Sequence, residues 1–256
     1  MTPPLTAIAG APSTPLAPPP SPARLGPLLA WLVERAALDG EGFATAAELA
    51  PAAVAPGAND PVRLAEVLAD AGLPAGALAV VGAALPPREG VWWAWVAVRH
   101  AMQVRAERSA GGPAAPERAA LAAVERWIGE PSDANRRLAW DAGQAADLSS
   151  PAGCLCAAAF FSTGSIAAAA SPMAVPPPPG AHVTLSGTAV LLAAVQVDPA
   201  NLPALVRAAV GQAAEVARRL GGWDASATAA RQHFDHQRAL HGAAMAAAEP
   251  KPPAAA

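Results

Sequence analysis

The sequence predicts an all-α fold, a single helical bundle, and three observations carry that prediction. Hydrophobic residues fill 53% of the 256 positions, but much of that share is alanine, which has the best helix propensity and little volume. Residues that strands favour are sparse, and tyrosine is absent. Helix-start signals recur: Asp60-Pro61, Ser150-Pro151 and Asp198-Pro199 each set a capping side chain before a proline suited to the first helical position. With so much alanine, few large side chains remain to build a core, above all the seven tryptophans.

Residues 1–23, rich in proline, serine, threonine and alanine, carry too little large apolar surface to fold and are expected to be a disordered tail. No basic residue precedes an apolar stretch there, so they do not read as a secretory signal. The helical domain is expected over 24–241, with shorter helices at 24–38, 61–71 and 74–85. Over 87–105, Val91, Trp95, Val98 and Met102 share one side, and Trp92 and Val96 widen the stripe. A helix over 116–128 carries Leu121, Val124, Trp127 and Ile128. The chain then breaks at Glu130-Pro131-Ser132-Asp133 and restarts in a helix bearing Leu138 and Trp140.

From Leu148 to Val197 there is no Asp, Glu, Lys or Arg. Ser162, Thr163, Gly164 and Ser165 interrupt the run, and Pro172 and Pro176 to Pro179 end it. It therefore reads as buried core, at 151–161 and 185–195, and not as a membrane span, which needs about 20 strongly apolar residues. Residues 175–180, with four consecutive prolines, read as an extended strap connecting helices, the alternative being a ligand for an aromatic groove. Leu202, Leu205, Val206, Ala209, Ala213, Val216 and Leu220 recur at spacings of three and four, giving a helix over 199–220 that Gly221-Gly222 stops. Residues 242–256 are expected to be a second disordered tail.

The formal net charge of −3 and pI near 5.9 argue against a general nucleic-acid binder. Lys251 is the one lysine, and the arginine, alanine and proline bias points to a GC-rich genome. Cys154 and Cys156 cannot form a disulfide framework or a four-ligand zinc site by themselves. Two apart on a helix, they face opposite sides and read as small buried hydrophobes.

No phosphate loop, dinucleotide fingerprint, Gly-x-Ser-x-Gly elbow or His-Glu-x-x-His stretch occurs. Three clusters remain. Arg88, Glu89, Asp133, Asn135, Arg136 and Arg137 could form a charged groove for a carboxylate or phosphate. The structural alternative makes Glu89 and Asp133 first-turn acids paired with the arginines across helices. Trp92 and Trp93 could offer a hot spot for a partner; burial of the tryptophans in a wide core is the competing reading. His233 and His236, three apart on a helix, could hold a divalent metal, with His241 as a third ligand if the chain bends. A solvated terminal helix explains them as well, and no cofactor is expected.

The blocks at 85–99 (LPPREGVWWAWVAVR), 127–137 (WIGEPSDANRR), 150–165 (SPAGCLCAAAFFSTGS), 176–180 and 189–195 (AVLLAAV) together resemble an uncharacterised bacterial family of all-helical proteins, a domain of unknown function. The resemblance spans about 78–220. Thr163-Gly164 stands where the family pattern has Gly-Gly. The resemblance implies a helical fold and, through members encoded near type VI secretion or forkhead-associated signalling genes, a link to such an apparatus. It assigns no residue a role. The expectation is a non-catalytic, cytoplasmic accessory or scaffold protein that binds another protein, such as a component of a secretion apparatus. A small-molecule or metal-binding regulator is the alternative, and an enzyme of unrecognised type the third.

Overall fold

The computed structural model describes residues 25–35, 51–55, 58–108 and 112–248. The expected tail at 1–23, the end of the helix expected over 24–38, and residues 249–256 lie outside it. The described residues form ten α-helices and no strand. They are α1 (Pro27–Arg35), α2 (Pro61–Asp70), α3 (Pro74–Ala83), α4 (Pro87–Arg108) and α5 (Ala115–Gly129), then α6 (Asp133–Ala145), α7 (Pro151–Phe160), α8 (Ala181–Val197), α9 (Leu202–Arg219) and α10 (Trp223–Ala248).

Local chemistry sets the starts. Asp60 accepts from the amides of Val62 and Arg63 ahead of α2, Ser132 from Asn135 ahead of α6, and Ser150 from Gly153 ahead of α7. Each satisfies a donor that the first turn leaves without a partner. Asp198 does the same for Ala200, but the turn it caps is 3-10, Pro199–Asn201, and α9 begins only at Leu202. Gly221 and Gly222, at φ of 95° and 101°, take the left-handed conformation that ends α9.

α8 lies at the centre, packed against α3, α4, α7 and α9, and α4 is flanked in addition by α5 and α7. This placement accounts for the absence of charge in α7. All ten residues of α7 are buried, so a charge there would have to be removed from water. No helix among the described residues is long and apolar enough to cross a membrane.

The stripes differ in detail from the expected ones. In α4, Trp93, Ala94 and Ala97 are buried beside Val91, Trp95, Val98 and Met102, whereas Trp92 and Val96 are half-buried. The helix is covered on opposite sides: Trp93 Nε1 donates to the Ala209 carbonyl of α9 (2.8 Å), and Trp95 Nε1 to Leu121 of α5 (3.0 Å). In α9 the buried face centres on Val206, Ala209, Val210, Ala213, Val216 and Ala217, with Leu202 and Leu205 at its margin. In α6 the inward residues are Asn135, Arg136, Ala139 and Gly143, while Leu138 is exposed.

The two cysteines behave as buried hydrophobes on opposite sides of α7. Cys154 Sγ meets the Leu185 carbonyl and Cys156 Sγ that of Ala120. Burial pushes their thiols up to about 11 and about 12. The expected boundary at Gly242 is corrected: α10 runs on to Ala248. Five of the seven residues 242–248 are alanine, the best helix former, so the helix continues through them.

Candidate functional site

Arg136 is 1% exposed, and its guanidinium is engaged on several edges. Nη1 donates to the carbonyl of Phe160 (2.6 Å), Nη2 to that of Ser165 (2.6 Å), and Nε and Nη2 to Asp133 Oδ1. Its plane lies 4.6 Å from the centre of the Phe160 ring. Arg137 adds Nη1 to the Ala167 carbonyl (2.9 Å), Nη2 to Ser165 (3.2 Å) and Nε to Asp133 Oδ2 (2.8 Å). Gly164, at φ +72°, completes the fit, because a Cβ there would lie 3.2 Å from Nε and Nη2 of Arg136. The two arginines hold Asp133 well below its ordinary 3.8.

These contacts correct the groove expected from the sequence. Asp133 pairs with the two arginines of its own helix, and their reach across the fold ends on carbonyls. Arg88 lies elsewhere, its Nε donating to the Ile128 carbonyl (2.7 Å) at the end of α5. Asn135 Nδ2 donates to the carbonyl of Glu130 (2.9 Å) in the following turn. Glu89 makes no ion pair among the described residues. Arg88 and Asn135 supply donors to carbonyls at the end of α5, and Arg136 to that of Phe160 at the end of α7, whereas Arg137 reaches the loop carbonyls of Ser165 and Ala167.

The segment that the arginines fasten, 161–180, contains no helix or strand. Segments this long and irregular inside a compact domain are uncommon and tend to carry function. Its other side rests on α10, where His233 Nε2 (3.0 Å) and Gln237 Nε2 (2.7 Å) both meet the carbonyl of Ser162. A groove of about 640 Å³ opens between the two, floored by Pro176 and Pro177 and walled by Leu240 and Ala244, with Ser165 and His236 also lining it. None of its lining residues is Asp, Glu, Lys or Arg. Gln237 is 3% exposed, and its Oε1 has no partner among the described residues. Leu240, 47% exposed, stands at the groove, and Val175 and Met173 are exposed on the same loop.

The histidines divide. His233 turns inward, and its ring meets that of His182 edge to face at 5.9 Å. Burial lowers the affinity of His233 for a proton, partly offset by its bond to Ser162. His182, fully enclosed, is pushed down to about 3. His236 is exposed, and His241 Nδ1 is buried without a partner among the described residues. Among the described residues no three His, Cys, Asp or Glu side chains form a group that could hold a metal ion.

The tryptophan hot spot also needs correcting. Trp93 is 0% exposed and buries its indole against α9, where the Ala209 carbonyl satisfies its N–H, so it cannot face a partner. Trp92 is half-buried, with the Arg219 guanidinium 5.7 Å from its ring. Sequence reasoning missed Ser162, Gly164, His182 and Gln237. Gln237 lies four residues from His233 and so shares its face, a signal that was available. Nothing local says that this face turns inward.

No curated protein and no solved structure matches this sequence. The profile of one family, described as a family of unknown function, matches residues 64–217. The match takes in α4, the arginine clamp, the segment 161–180 and α8, and it ends before α10. Over more than half its length, therefore, the chain belongs to the family of unknown function DUF6931.

Proposed function

We propose that this is a non-catalytic adaptor that receives an apolar segment of a partner protein in the groove between residues 163–177 and α10. The observation that carries the reading is the groove itself: about 640 Å³, uncharged and bordered by the exposed Leu240. An exposed apolar surface costs solubility, and soluble proteins keep such patches small unless they are used. The unpartnered Gln237 Oε1 sets one requirement on the guest, a hydrogen-bond donor among its apolar groups. The contacts that fasten residues 162–167 to α6 and α10 keep the groove open before the guest arrives, which lowers the ordering cost of binding.

The resemblance to a bacterial all-helical family with members encoded near type VI secretion or forkhead-associated genes makes a cytoplasmic component of such an apparatus the partner class to examine first. A photo-crosslinking amino acid at position 240, introduced in the native host, tests the reading. The expected result is one dominant crosslinked protein, lost on Gln237→Leu and absent when the label is placed at Glu107 on α4 instead. Equal, diffuse labelling from both positions would overturn it.

A further inference from the structure

A second cleft lies away from that groove, between α1, α8 and α10. Its inner part, about 220 Å³, is lined mainly by carbon: Ala79, Ala83, Leu85, Pro178, Val183 and Ala230. The outer part, about 370 Å³, carries Arg35, Arg231 and Arg238. Trp31, Arg35 and Phe234 line both, so the two lie side by side across these three side chains.

The charges at the mouth do not balance. Glu34 bonds Arg35 at 2.9 Å, and Asp235 stands 3.6 Å from Arg238. Arg231 has no acidic partner among the described residues; its one polar contact is the Pro27 carbonyl at 3.5 Å. Aromatic faces hold two of the guanidiniums in place. Arg231 lies 4.9 Å from the Trp31 ring and Arg35 4.2 Å from that of Phe234. Stacking fixes a guanidinium by its face and leaves its N–H edges free to fork onto an anion.

The inner part has its own unmet need. His182 lines it and is 5% exposed, and its Nδ1 has no partner among the described residues. A buried nitrogen left unpaired is costly, and a bound molecule or a water would relieve it. The space exceeds the roughly 150 Å³ of an engineered cavity that binds benzene, so an aromatic ring or a short acyl chain fits it.

We propose that this cleft binds a small anionic ligand with an apolar body, the chain or ring in the inner part and the acidic head on Arg231 and Arg35. A cation is refused by the arginine mouth. A neutral hydrocarbon gains nothing from the arginines, and a bare inorganic anion leaves the inner part empty. The site shares no lining residue with the groove between 163–177 and α10, so it stands whether or not that groove receives a protein.

Calorimetric titration of the full chain with octanoate tests the proposal, with octanol, octyl phosphate and inorganic phosphate as comparison probes. Octanoate is expected to bind saturably at one site, and octanol at least about tenfold more weakly, the effect of one charge-assisted hydrogen bond. Arg231→Gln should weaken octanoate by about the same factor, with its thermal midpoint unchanged because the side chain is exposed. Whichever of octanoate and octyl phosphate binds more tightly identifies the head group as carboxylate or phosphate. The proposal falls if octanoate shows no saturable binding at millimolar concentration, if octanol or the Arg231→Gln protein binds as tightly, or if inorganic phosphate matches octyl phosphate.

Discussion

Arg136 Nη2 donates to the main-chain carbonyl of Ser165 at 2.6 Å, from a side chain that is 1% exposed. The bond joins α6 to a segment that contains no helix or strand of its own, and the Phe160 carbonyl shares the same guanidinium. A charge in this position is stabilised only by the groups it touches, so those groups and the charge stand or fall together.

Replacing Arg136 by Leu strands the Phe160 carbonyl and leaves Ser165 and Asp133 to Arg137 alone. The expected loss, read by urea unfolding at neutral pH, is about 3–5 kcal/mol, the range for breaking one side of a buried ionic contact. Arg136→Lys should also lose stability, since an ammonium cannot fork onto three acceptors. A change in Arg136→Leu within about 0.5 kcal/mol, the scatter of ordinary surface substitutions, would contradict the clamp.

Trp93 and Trp92 are adjacent yet differ in environment, so their substitutions should differ. Trp93→Phe keeps most of the volume but leaves the Ala209 carbonyl without its donor, an expected cost of about 1–3 kcal/mol. Trp93→Ala adds a cavity and should cost about 3–5 kcal/mol. Trp92→Ala, removing a half-buried ring, should fall well below that. Chemical denaturation of the three proteins ranks them, and a larger loss at Trp92 would refute the burial assignment.

His182 and Asp133 give stability a pH dependence in different windows, and His233, whose proton affinity burial also lowers, adds to the first. His182 titrates near 6.5 when unfolded and near 3 when folded, so the unfolded chain binds the extra proton between these values. Stability therefore falls as pH drops from 6.5 towards 3, at up to about 1.4 kcal/mol per pH unit. His182→Gln should flatten that slope. Asp133 is held below its ordinary 3.8, so its contribution is present above that value and is lost as pH falls through the lowered one. Asp133→Asn should change the profile only in this more acidic window. Unfolding free energies measured across the pH range separate the two, and an unaltered slope in His182→Gln would exclude the histidine as its source.

The candidate site was legible in part. The block PSDANRR marked Asp133, Asn135, Arg136 and Arg137 as special, and the last three do hold neighbouring segments together. What the sequence could not supply was the target of each donor. Arg88 and Arg136 read as members of one charged groove because charge is visible in a sequence and main-chain carbonyls are not. Gln237 and His182 went unnoticed for a related reason: a polar residue on an alanine-rich helix looks solvated until its neighbours are known.

By itself the sequence determined the helical class, the points where most helices start, and the burial of residues 151–160. These follow from alanine propensity, Asp/Ser-Pro capping and periodicity, which act over a few residues. Tertiary structure alone decided that Trp93 and not Trp92 goes inward, that arginines cap two helices other than their own, and that α10 shapes a groove and a cleft. Those outcomes depend on which helices lie on each side of a given residue, as with Trp93 and Ala209, 116 positions apart, and short-range preferences carry no information over that distance.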